Sequence, residues 1–273
     1  MEILVCIKQV PDTTEIKIDP VTNTLIRDGV PSIVNTFDAY ALELAVQFKE
    51  KFANDAKITV LSMGPEQAKV ALKECLSVGA DEAYLVSGRK FGGSDTLATS
   101  YILSGTIKKV CEMKGIDKFD IIFCGKQAID GDTAQVGPEI AEHMDLPQVT
   151  YVVDMEKGAA DGTVRVKKET EAGFDMIEVH TPCLLTVTKP KFDPRYPTIK
   201  SKMAANKAVI PTITDDDMAN YLDFERCGLK GSPTKVRKTF VPPRKQGGVV
   251  IKEETGAESA AKLAALLADA KII

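Results

Sequence analysis

The 273-residue chain is poor in metal ligands. It has two histidines, His143 and His180, and six scattered cysteines, no two of them at CxxC spacing. A structural zinc site needs four such groups clustered at set intervals, so none is expected. Neither histidine has a serine or cysteine nucleophile on a strained elbow beside it, so no catalytic side chain is expected either. There is no GxGxxG turn and no GxxxxGK[ST] loop, which removes the two commonest phosphate fingerprints. No apolar run reaches the ~20 residues of a membrane helix, and no internal repeat or low-complexity tract is present. A net charge of only −4 argues against a dedicated nucleic-acid binder. The opening MEILVCIKQV has a strand pattern rather than that of a signal peptide, so a reduced, cytoplasmic protein is expected.

What is present is alternation of strand and helix. Ile3 to Val10 reads as a buried strand. Ile16 to Ile26 gives two short alternating runs around Asp19-Pro20, a hairpin signal. Asn35-Thr36 offers N-cap oxygens to a helix whose Phe37, Tyr40, Ala41, Leu44, Ala45 and Phe48 share one face. A strand over Ile58 to Met63 is followed by a helix from Gly64-Pro65 to Gly79. A short strand over Ala83 to Val86 precedes a helix capped by Ser94 that runs to about Met113, and Phe119 to Cys124 forms another strand. This order predicts a doubly wound, mostly parallel α/β sheet, whose ligand site lies at strand carboxyl ends.

After Pro147 the pattern changes. Val149 to Met155, Val164 to Thr170 and Met176 to His180 predict antiparallel strands, an insert over about 149–182, and Leu184 to Thr188 predicts a central strand. The expected first domain is therefore 1–190. From 191 to 246 periodicity fails and proline recurs, which predicts a C-terminal extended arm lying on a partner. Lys191 to Lys245 carries 12 Lys and Arg against 6 Asp and Glu, a net of +6, which leaves −10 on the rest. Aromatic residues are not interleaved with those bases, so a protein partner is favoured over nucleic acid. Residues 247–273 predict a strand and a helix, with Leu263, Leu266 and Leu267 on one side.

The most informative stretch is Gly125 to Pro138, GKQAIDGDTAQVGP, between a strand and a helix start. Such a loop offers free N–H groups to phosphate, yet it also carries Asp130 and Asp132. Their spacing fits Asx turns that shape the loop better than paired acid–base catalysts. Gly92-Gly93-Ser94-Asp95-Thr96 is similar to part of a pyrophosphate-binding loop, but it follows a later strand than that loop does, and a helix cap is the preferred reading.

The segments ILVCIKQVPDT, NTFDAYALELA, SMGPEQAKVALKECLSVGADEAYLV, GKQAIDGDTAQVGPEIAEHMDLPQVT and RYPTIKSKMAANK, in that order, resemble the β subunit of electron-transfer flavoprotein. The resemblance implies a fold of the adenine-nucleotide-binding type and a heterodimer with an α subunit that holds an FAD. It implies a second nucleotide on this chain, held by Cys6, Asn35, Thr36, Phe37, Asp38, Met63 and the loop Gly125, Lys126, Gln127, Ala128, Ile129, Asp130, Gly131, Asp132, Thr133, Ala134, Gln135 and Val136. That nucleotide is AMP in many members and FAD in electron-bifurcating ones, where NADH is the donor and ferredoxin or flavodoxin one acceptor. The GDTAQVGP form and the KQVPDT start are similar to the bifurcating type, so FAD is favoured, with AMP as the alternative. Arg195, Tyr196 and Ile199 match the family's recognition loop for an acyl-CoA dehydrogenase or another flavin oxidoreductase. A stand-alone adenine-nucleotide-binding regulator is the alternative from another class.

Overall fold

The computed structural model describes residues 1–12, 31–237 and 247–273; the hairpin expected over 16–26 lies outside them. Two compact units divide the chain: Met1–Glu15 with Ile26–Arg237, and Ile16–Leu25 with Lys238–Ile273. In chain order the first unit runs β1 (Glu2–Ile7), β2 (Gln9–Pro11), β3 (Ser32–Val34), α1 (Thr36–Phe52), β4 (Lys57–Met63), α2 (Lys69–Ser77), β5 (Glu82–Val86), α3 (Thr96–Lys114), β6 (Ile121–Gly125), α4 (Val136–His143), β7 (Gln148–Lys157), β8 (Thr163–Thr170), β9 (Gly173–His180), β10 (Cys183–Val187), α5 (Ile199–Lys207), β11 (Thr212–Ile213) and the single turn α6 (Gly228–Gly231). The described part of the second unit holds α7 (Gly256–Asp269), opened by a reciprocal cap between Thr255 and Glu258. No strand occupies 247–255, where one was expected.

Side-chain alternation on the strands builds two cores. On β1, Ile3, Val5 and Ile7 face one side, and Leu4 and Cys6 the other. β6 repeats this with Ile121 and Phe123 against Ile122 and Cys124. All are buried, as central parallel strands require when both faces are covered. α1 and α2 cover the first face through residues such as Leu44, Phe48 and Leu72; α3 and α4 cover the second through Ile102, Ile107 and Ile140.

The large sheet has the order β11-β5-β4-β1-β6-β10-β7-β8-β9. Pairing is parallel from β11 to β7 and antiparallel across β7, β8 and β9. The chain winds outward from β1 through β4 and β5, then returns past β1 to β6. Strand order thus reverses at β1, the switch point at which doubly wound sheets bind ligands. Among the described residues no helix is long and apolar enough to cross a membrane.

Three sequence expectations need correction. The first strand ends at Ile7 rather than Val10, because Lys8 leaves the ladder: its N–H donates to Asp38 Oδ2 at 2.7 Å and its carbonyl accepts from Asn35 N at 2.8 Å. Gln9–Pro11 then pairs with β3 in a separate antiparallel ribbon. Asp95, not Ser94, caps α3, accepting from Ala98 N at 3.0 Å. The described part of the expected arm, 191–237, is not extended. It forms α5, adds β11 to the sheet edge beside β5, and buries Ala205, Ile210, Ile213, Met218, Leu222 and Cys227 singly. Isolated plugs at irregular intervals leave no period for a sequence reading to detect.

Candidate functional site

A cleft of about 590 Å³ opens where the carboxyl ends of β1, β4, β5 and β6 meet. Its walls come from the residues after each strand: Cys6 to Pro11, Met63 to Pro65, Val86 to Gly88 with Phe91 to Thr96, and the loop between β6 and α4. Of the residues expected at a site, Cys6, Asn35, Asp38, Met63, Gly125, Lys126, Gln127, Ala128, Asp130, Gly131, Thr133, Ala134, Gln135 and Val136 line it. Thr36, Phe37, Ile129 and Asp132 do not. Arg195, Tyr196 and Ile199 lie away from it, where Tyr196 is 92% and Ile199 83% exposed.

Two side chains at the start of α1 hold the cleft's main loop. Asn35 occupies the N-cap position but does not cap. Its amide instead donates from Nδ2 to the Gln127 carbonyl (2.8 Å) and accepts at Oδ1 from Ile129 N (3.0 Å). Asp38 ties two strand ends together, accepting from Lys8 N at one oxygen and from Gly125 N (3.0 Å) at the other. Burial pushes its carboxyl up to about 7, against the two N–H bonds, which favour the ionised form. A glycine is required at 125 because α1 comes so close. A Cβ there would run into Asp38 Oδ1 and would sit 2.7 Å from the backbone of Phe37 and Asp38.

The two loop carboxylates are both engaged. Asp130 meets Lys8 Nζ at 2.7 and 2.9 Å. That pair is partly exposed and adds ~0–1 kcal/mol at most, but it cancels a negative charge at the cleft wall. Asp132 accepts from Gln127 Nε2 at 2.7 Å and sits at φ 52°, with Ala134 at 54°. Both bonds run to partners beyond a local Asx turn, so it is these longer bridges, rather than the expected Asx turns, that shape the loop. At the far end of the loop, Gln135 makes no side-chain cap to α4, so the Val136 and Gly137 N–H groups and the positive end of the helix are left for an acceptor. Lys126 adds a cation at the wall, 5.3 Å from the Phe37 ring and 5.5 Å from the Tyr151 ring. Tyr151 itself adopts φ 59°, rare for a bulky residue, at an irregularity in the β7–β10 register. Cys6 and Cys124 are register partners on the cleft floor; contact with Cys6 and burial hold the Cys124 thiol well above its usual range, so it behaves as packing.

The wall at 91–96 lines the cleft as well as capping α3; in the sequence its Gly-Gly-Ser-Asp-Thr string, which follows a later strand than the pyrophosphate loop it resembles, reads only as a cap. β5 ends beside β4, so its loop reaches the same crevice. The supposed arm holds this wall in place. Ser232 Oγ accepts from Asp95 N (2.8 Å), Thr234 N donates to Asp95 Oδ2 (2.9 Å), and Gly228 N donates to Ser94 Oγ (3.0 Å).

A family model described as the electron transfer flavoprotein domain matches residues 22–218. The chain belongs to the electron transfer flavoprotein family. It is 54% identical over 260 residues to an electron transfer flavoprotein subunit beta of Megasphaera elsdenii, covering 95% of this chain and 94% of that one. It is 48% identical over 273 residues to the caffeyl-CoA reductase-Etf complex subunit CarD of Acetobacterium woodii, with full coverage of both. Protein FixA of Azotobacter vinelandii is 45% identical over 255 residues, covering 92% of this chain and 88% of the relative. Members of the family are flavoproteins acting in electron transfer. The mostly parallel α/β sheet described above is the fold the sequence reading expected of it.

Proposed function

We propose that the chain is the β subunit of a heterodimeric electron transfer flavoprotein and that its cleft holds FAD. Paired with an α subunit, it takes part in bifurcating the two electrons of NADH, one to ferredoxin or flavodoxin and one, by way of the α-subunit flavin, to a partner dehydrogenase. The space left open at the turn of the Gly125 loop carries the choice of FAD. No atom lies within 4 Å of a Cβ placed on Gly131, and Asp132 is drawn back to Gln127, so neither residue crowds the turn of the loop. The full-length similarity to a subunit of a caffeyl-CoA reductase complex supports the same reading.

The donor set fits a diphosphate-bearing nucleotide. The uncapped start of α4 and Lys126 would hold the phosphates, Gly125 lets backbone approach closely, and Cys6 and Met63 offer an apolar floor. Asn35, Asp38 and the Lys8–Asp130 pair hold these loops in shape before any ligand arrives. When bound, FAD supplies the hydride and single-electron chemistry, while the chain's residues bind it, orient it and exclude water. No side-chain nucleophile or base is required.

The exposed Tyr196, Ile199 and Met203, with Lys200 and Lys202 around them, supply an apolar anchor in a basic surround. That combination suits a transient contact with a flavin oxidoreductase. A coupled anaerobic assay tests the reading. NADH should reduce ferredoxin only when the partner dehydrogenase and its oxidised substrate are also supplied. NADH-independent shuttling, with AMP released on acid extraction, would instead assign the cleft to AMP and make the protein a simple shuttle.

A further inference from the structure

The guanidinium of Arg195 is almost fully committed inside this chain. Its Nε and Nη2 donate to the two oxygens of Glu43 (2.8 and 3.1 Å), and its Nη1 and Nη2 donate to the two oxygens of Glu50 (2.6 and 2.9 Å). The Arg195 backbone N–H also donates to Glu43 Oε2 at 3.1 Å. Arginine has five N–H donors in a rigid fork, so two bidentate pairs leave one. Glu43 is only 6% exposed, and both glutamates stand on α1. Immediately after this clamp the chain turns outward into Tyr196, Ile199 and Met203, all exposed.

We propose that Arg195 is a positioning residue that fixes the take-off direction of the Tyr196–Met203 segment from α1 and thereby sets partner affinity, without itself touching the partner. This rests on the reading of that segment as the partner-docking element. Both flanks are pinned, Phe192 against the core before it and Ala205 and Ile210 buried after it. The capping box of Thr198 and Ser201 rigidifies the start of α5. α5 itself packs on α2, where Lys73 Nζ donates to the Asn206 carbonyl at 3.0 Å, and the clamp is the constraint at the point where the exposed stretch begins. A lysine cannot replace it, since a single ammonium cannot span two carboxylates bidentately.

The test uses the purified heterodimer and its flavin oxidoreductase, with KM for that partner, kcat at saturation, flavin content and reduction of a small-molecule dye as readouts. Arg195→Lys should raise the partner KM about tenfold, with kcat, flavin content and dye reduction unchanged. Glu50→Gln, at the more exposed carboxylate, should raise it in the same direction. A direct-contact role predicts the opposite for Glu50→Gln, because freeing the guanidinium would leave KM unchanged or lower it, and that result overturns the proposal. Ile199→Ala tests the underlying reading separately: if it leaves KM unchanged, the segment is not the docking element and the proposal falls with it. If Ile199→Ala raises KM while Arg195→Lys and Glu50→Gln do not, the docking element stands and the positioning role is lost. Should Arg195→Lys lose its flavin, Glu50→Gln alone decides.

Discussion

At Asp38 one buried carboxylate receives N–H groups from Lys8 and Gly125, and so joins β1, β6 and α1 beneath the cleft. Its folded pKa of about 7 lies above the ordinary 3.8. A group raised in this way contributes stability that is fully present below about pH 4 and is lost as pH rises to about 7. The nucleotide-free protein should therefore lose stability relative to its Asp38→Asn variant across pH 4–7, and the difference should level off above about pH 8. Urea midpoints at each pH measure this; a difference that stays constant across that window would show that Asp38 is ionised throughout. Asn35→Ala removes both side-chain bonds to the loop and leaves the Ile129 N–H and the Gln127 carbonyl without partners. The expected cost is about 1–3 kcal/mol, read by denaturation, together with faster loss of bound nucleotide. Neither role was legible in the sequence. Asn35 reads there as a helix cap, and only the fold brings Gln127 and Ile129, more than 90 residues away, within reach of its amide.

Gly125, the last residue of β6, and Gly131, in the loop that follows, have opposite requirements. Gly125→Ala would drive a methyl into the start of α1, and overpacking of this kind costs about 1–3 kcal/mol. Gly131→Ala meets nothing within 4 Å, so thermal stability should hold. Paired melting curves decide whether close approach of α1, rather than loop flexibility, accounts for the first glycine. The opposite wall depends on the segment around Ser232. Ser232→Ala leaves the Asp95 N–H without its acceptor, and should loosen the 91–96 loop and weaken nucleotide binding several-fold with little effect on secondary structure. Calorimetric titration of the nucleotide-free protein checks that, and unchanged affinity would separate this wall from the site.

Across the molecule, most strands and helices up to β10 were readable because they bury a periodic face: two faces on Ile3–Ile7, one on Tyr40, Leu44 and Phe48; the short β2–β3 ribbon was not. The strand-end rule then located the crevice before any family resemblance was needed. The stretch after β10 was not readable, since Ile210, Ile213, Met218 and Leu222 enter the core one at a time and through different contacts. Consequently a segment that looks like an arm also braces a wall of the cleft. In the function proposed above this cleft carries FAD, and flavin content per heterodimer, from the visible absorbance of the copurified complex and an independent protein assay, decides whether it does. Two FAD per pair is the predicted result. One FAD per pair, with AMP recovered in equal amount, would contradict it.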